Sequence, residues 1–315
     1  MEPLMTPSLT MTDHPQPIEI DIGSDLLAVA FSTNGEHVVS GHDSDARVWR
    51  VEDGKQMATL STGNDKCKCY CLAVSDDGKW IAGGTWSHWD ALSVWDATTY
   101  KQVSKHDIRY VSAVDFSPDS TRLVSASNYY ASEDKIIVWD VASNKQVQTL
   151  YHMSVRTAKY SPTGDRIATA TEKSVRIWDS NDGRLLVDID VEVTPYFNAG
   201  LVWFKNHLFV VSNNTIKQFD AATGSAVAEW PVPDSDAFSC ISLPKHGKFI
   251  AYSTKSTITL WDTSTHAQVG LIQHPQDIQP IAFSPDDQFL AFGGVDRKIS
   301  IIRVSRIIVS VVSLD

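Results

Sequence analysis

VDFSPDSTRLVSAS (114–127) and, after a short gap, KIIVWDVASNKQVQTL (135–150) decide the fold. The first stretch is an apolar run that breaks at Ser117-Pro118-Asp119, then a second run that ends in small and hydroxyl residues. The other holds a run closing on Trp139-Asp140, a turn, and a fourth run over Lys145–Leu150. Each run is too short for a helix, and apolar positions alternate within it, so each reads as a strand. The opening phrase recurs along the chain as VAFSTNG (29–35), LAVSDDG (72–78), VDFSPDS (114–120), AKYSPTG (158–164), LVWFKNH (201–207), ISLPKHG (241–247) and IAFSPDD (281–287). Successive starts lie 43, 42, 44, 43, 40 and 40 residues apart.

The closing phrase keeps the same period: DARVWR (45–50), ALSVWD (91–96), KIIVWD (135–140), SVRIWD (174–179), TIKQFD (215–220), TITLWD (257–262) and KISIIR (298–303). Phe219 and Ile302 stand where the other units have Trp. Four short strands repeated every forty residues or so are the blade of a β-propeller. The expectation is an all-β, seven-bladed β-propeller of four-stranded antiparallel blades. It assigns residues 1–17 to a leader, 18–303 to the propeller and 304–315 to a tail or an extra edge strand.

The Trp-Asp pairs at 95–96, 139–140, 178–179 and 261–262, with the FSP starts at 116–118 and 283–285, make the chain resemble the WD40-repeat family over residues 18–303. The resemblance implies a hydrogen-bonded set in each blade: a His ahead of the first strand, a hydroxyl on the second, an Asp in the following turn and the Trp on the third. Ser40, Ser125, Thr169 and Ser253 suit the hydroxyl; Trp49, Trp95, Trp139, Trp178 and Trp261 suit the ring. Asp43 or Asp45, Asp134 and Asp296 suit the turn. His274 falls at the expected spacing, while His106 and His152 are each one residue off. The family also closes its ring with a terminal strand. Ile18–Ile22 is the favoured candidate for the outer strand of blade seven, and Arg306–Val312 (RIIVSVV) is its competitor.

Composition narrows the function. A net charge of −11 opposes tracking of a nucleic-acid backbone. No apolar stretch approaches the 18 residues of a membrane span, and residues 1–17 lack the pattern of a signal peptide. The expectation is a monomeric cytoplasmic protein, with the nucleus as an alternative. The four cysteines, Cys67, Cys69, Cys71 and Cys240, read as free thiols, with no metal and no cofactor called for. Asn213-Asn214-Thr215 matches a glycosylation acceptor and reads more simply as the turn of blade five.

Blades two and three break the period. From start phrase to Trp the units run 20, 23, 25, 20, 18, 20 and 21 residues. The surplus falls in Thr85–Asp90 (TWSHWD) and Ser127–Glu133 (SNYYASE), which hold Trp86, Trp89, Tyr129 and Tyr130. The family resemblance puts these loops on the top face, where they either anchor a partner or fold back over the blade edges. Four places before each start aromatic stand Leu27, Tyr70, Ser112, Arg156, Ala199, Ser239 and Gln279, expected to point to the channel; Arg109 and Tyr110 enter the same rim. Tyr70, Arg109 and Arg156 join the four loop aromatics as candidate partner-binding residues. The leading expectation is a non-catalytic scaffold that holds a protein or peptide on its top face. A second is an aromatic cage for a methylated lysine or small cation, with Asp90 or Glu133 beside it. A third is a propeller hydrolase or lyase working with channel carboxylates and His, for instance His88 with Asp90, although no nucleophile, metal or phosphate-loop motif is present.

Overall fold

The computed structural model describes residues 17–63, 67–128, 135–193, 200–212, 214–232 and 240–308. Tyr129, Tyr130, Glu133, Asp134, Ala199, Ser239 and Asn213 lie outside them, as do residues 1–16 and 309–315. Seven four-stranded antiparallel sheets form the ring, in blades spanning 28–61, 69–106, 111–150, 157–190, 201–231, 240–273 and 278–303. Blade seven takes its outer strand, Ile18–Asp21, from the other end of the chain. Ile18 faces Ile301 and Asp21 faces Lys298 across that closure. Of the competing segment Arg306–Val312, residues 309–312 lie outside the described residues; Val304–Ile307 forms one helical turn, and Ile308 bridges to Gly270 on blade six.

The period-two pattern explains the core. The second and third strands of each blade bury both faces because neighbouring blades pack sheet on sheet, while the outer strands stay largely exposed. The apolar side chains therefore collect in seven clusters, one per blade boundary, and one of them joins Ile20 and Ile22 to Trp49, Ile299 and Ile301. Outer strands are capped from the next blade. There the turn between third and fourth strands carries a residue of positive φ: Gly54, Tyr100, Asn144, Gly183, Gly224 or His266. Gly183 packs on Leu150, Gly224 on Ile189, and His266 stacks 4.4 Å from Trp230.

The Trp hydrogen bonds follow the expectation in three blades and depart from it in two. Trp49 donates to Ser40 at 2.7 Å, Trp139 to Ser125 at 2.8 Å and Trp178 to Thr169 at 2.9 Å. Trp261 ignores Ser253 and donates to Thr259, two residues back on its own strand, at 3.0 Å. In blade two Gly83 replaces the hydroxyl, and a Cβ there would lie 2.9 Å from the Trp95 ring. His152 reaches the set despite its offset: it meets Thr169 at 2.9 Å and Ser174, in the place of the turn Asp, at 3.0 Å. His106 instead packs on Trp139, 3.9 Å between ring centres. Blade one uses a histidine the spacing did not single out, His42, 2.7 Å from Ser40. Asp43 and Asp45 pair with Lys68 and Arg47 rather than with it. Blade seven keeps His274 against Asp296 at 3.3 Å although Ile302 replaces its Trp.

Candidate functional site

The long loop of blade two is a built structure. It leaves the strand Trp80–Thr85 and returns into Leu92–Asp96. Thr85 N–H donates to Ala91 at 2.8 Å, closing the loop at its base. Its sides are tied to both neighbouring blade links: Trp86 N–H to Lys68 O at 3.0 Å, Ala91 N–H to Ile108 O at 2.9 Å, and Tyr110 N–H to Ser87 O at 2.8 Å. Ser87 Oγ donates to Trp89 O at 2.8 Å, and Asp90 turns the chain with a φ of 50°.

Inside this frame the aromatics form a cluster. Tyr110, only 7% exposed, is its hub. Trp86 meets it edge-on at 5.0 Å and meets Tyr70 at 6.4 Å. The His88 ring lies 4.7 Å from the Tyr110 ring and is hydrogen-bonded to its Oη. Trp89 stands outside the cluster, 61% exposed, with the Arg109 guanidinium 4.7 Å over its ring. Tyr110 is buried, Trp86 and Tyr70 are half-buried, and the exposed Trp89 indole carries a cation over its face.

Of the other sequence candidates, Arg156 is ion-paired to Glu172. His88 and Asp90 face apart: His88 contacts Tyr110, and Asp90 pairs with Lys105 at 3.3 Å. Ser112 turns away from the channel, donating to Val155 O at 2.7 Å. Leu27, Tyr70 and Gln279 line the channel as expected.

The channel encloses about 760 Å³. Ala30, Ala73, Asp115, Lys159, Ser242 and Ala282 are among the residues that line it. Small side chains leave it open, and one ion pair crosses the boundary of blades three and four: Lys159 Nζ to Asp115 Oδ1 at 3.1 Å. Tyr160 N–H donates to the other Asp115 oxygen at 2.8 Å. Burial pushes the Asp115 carboxyl up, against the downward pull of Lys159 and these hydrogen bonds. The sequence reading missed this pair. Its signal was the residue directly before the start aromatic, Asp115 before Phe116 and Lys159 before Tyr160.

Cys69 and Cys71 lie in different blade boundaries, one against Val39 and Trp95, the other against Leu92 and Val111. Burial pushes the Cys71 thiol up to about 12 and raises Cys69 and Cys240 as well. Among the described residues no three His, Cys, Asp or Glu side chains converge as a metal site, and no helix is long and apolar enough to cross a membrane.

Comparison with known proteins agrees with this architecture. The WD domain, G-beta repeat pattern matches residues 7–50, 54–96, 98–140 and 144–179. Human WD repeat-containing protein 90 is 32% identical over 92 residues, 28% of this chain and 5% of that protein. The chain thus spans a small fraction of the length of that curated relative. The solved structure of U3-55K superposes with a TM-score of 0.77 over 90% of this chain and 96% of its own, at 16% identity, which is a likeness of fold. Four matched repeats covering more than half of the sequence, on a ring of seven four-stranded blades, make the chain a member of the WD40-repeat family.

Proposed function

We propose that this propeller is a non-catalytic interaction platform that holds a protein or peptide on its top face. The observation that carries the reading is Trp89: a large indole left 61% exposed on a loop tied by backbone hydrogen bonds to both neighbouring blade links. Exposed aromatics on rigid supports are favoured interface anchors. Trp86 and Tyr70 form the supporting floor, Arg109 orients the contact, and Tyr129 and Tyr130 of the adjoining loop belong to the same proposed surface by sequence. Arg156, ion-paired to Glu172, is assigned to the same surface by sequence. Members of this family typically bind protein partners and are generally non-catalytic. The reading takes the ring as monomeric and places it in the cytoplasm or nucleus. The Arg109 guanidinium lies over the Trp89 ring, which favours a peptide or protein over a methylammonium cage.

The test is affinity purification from the source cells with wild type and Trp89→Ala in parallel. A partner recovered with wild type is then titrated against both purified proteins. Loss of at least about tenfold in affinity is expected for removal of one interface aromatic. Equal affinity of the two proteins for every recovered partner would sink the reading.

A further inference from the structure

The outer strands of the blades share one design, and blade six departs from it. The strand register sets Thr59, Lys105, Thr149, Asp188, Glu229 and Glu19 at one equivalent place, opposite the third strand of blades one to five and seven. All six are polar, as befits an outer strand with an open edge. In blade six that place holds Leu271, opposite Thr259. Burial departs with it. In the outer strands of blades one, four and five this place and the one two residues earlier are exposed; in Gln268–Gln273 both Val269 and Leu271 are half-buried. Between them stands Gly270, fully buried.

The chain itself covers this edge. After the last strand, Val304 N–H donates to Gln288 O at 2.8 Å, and Val304 and Ile307 sink into the core cluster of blades six and seven. Ile308 then forms an antiparallel bridge with Gly270. The approach is possible because Gly270 has no side chain: a Cβ would stand 2.7 Å from Ile307 O and 2.9 Å from its Cγ2. Beyond lie Val309-Ser310-Val311-Val312, three of them β-branched and none charged.

The geometry points to the outer edge of blade six as a strand-docking site whose occupant is this chain's own segment from Ile307 onward, added as a fifth antiparallel strand. Continuing the register from the Gly270–Ile308 bridge sets Val309 opposite Val269 and Ser310 opposite Gln268. The segment closes the one edge that lacks a polar guard, and it ties the end of blade seven to blade six, a second latch beside the one made by Ile18–Asp21.

Hydrogen exchange of the amides at 268–270 tests this, with the open outer strand of blade four, 185–190, as the reference within the same molecule. In the full chain the blade six amides are expected to exchange at least tenfold more slowly than in a variant stopped after Ile308. Gly270→Val is expected to give the same acceleration, with no further change when combined with that truncation. Unchanged exchange at 268–270 on truncation, with the blade four reference also unchanged, would overturn the docking. Protection that rises with protein concentration would put the tail of a second copy on the edge and overturn its occupation in cis.

Discussion

Single residues settle which hydrogen bond each Trp makes, and here spacing misleads most. Ser253 and Thr259 both lie within reach of the Trp261 position by sequence, and the indole chooses Thr259 at 3.0 Å. Ser253 is engaged by Cys240 N–H at 3.2 Å instead. Thr259→Val keeps the shape and removes the acceptor, so it leaves a buried indole N–H unpaired at a cost of about 1–3 kcal/mol. Ser253→Ala is expected to cost less than about 1 kcal/mol, the worth of an ordinary hydrogen bond. Chemical denaturation of the two variants checks this order, and the reverse order would restore the assignment made by spacing. The histidines carry the pH dependence. Burial, helped by Arg47 near one and Arg176 near the other, lowers both His42 and His152 to about 4. In the unfolded chain each titrates near 6.5, so the unfolded state takes up protons first as the solution is acidified. The stability these neutral rings support is whole above about pH 6.5 and falls as the pH drops toward 4. At about 1.4 kcal/mol per unit, each ring accounts for a loss on the order of 3 kcal/mol. Melting temperature followed from pH 7 to 4.5 should fall, and the fall should lessen in His152→Gln; equal slopes in the two proteins would remove His152 as a cause.

At the scale of strands and loops, the sequence carried most of the answer because strand period and turn chemistry are local. The Trp runs place every third strand within a residue, and the start phrases place the beginning of every inner strand within three. Two features escaped that reading. Bulges interrupt the inner strands between Cys69 and Cys71, between Val111 and Ala113, and between Ile278 and Ile281. Each resets the alternation that a fixed offset assumes. Ser112 therefore turns away from the channel and Asp115 faces it, while Cys69 and Cys71 serve different blade boundaries. The loop of blade two was legible as surplus length, and its aromatics were named from composition. Which of them is hub and which is tip was not. That depends on Tyr110, contributed by the next blade link and held there by its backbone N–H donating to Ser87 O, a contact that no spacing reveals. Within the loop Trp86 packs against Tyr70 and Tyr110, and Trp89 projects.

The whole molecule depends on closing a ring. Each blade buries its two faces against two neighbours, so stability is shared through nearest-neighbour boundaries, and an open ring exposes two of those faces at once. The closing boundary is made by a strand distant in sequence: Ile18–Asp21 pairs with Lys298–Arg303, and Lys298 reaches Glu19 at 2.5 Å. Ile20 and Ile22 are each 2% exposed there, against Ile299 and Ile301. Burying two isoleucines is worth about 3–6 kcal/mol. For a domain of this size that corresponds to a drop in melting temperature of roughly 5–10 °C. A variant beginning at Ser24 should show that drop. The milder Ile20→Asp, which keeps the strand and places a charge in the closing cluster, should show a comparable one. Interior unfolding would be felt everywhere, so the diagnostic is location: exchange should accelerate first at 298–303 and at 46–49, on the two sides of the lost boundary. Blade four, at 166–179, should respond only at the global transition. A variant that melts with wild type, or that loosens blade four as early as blade seven, would show that the ring does not depend on this strand for closure.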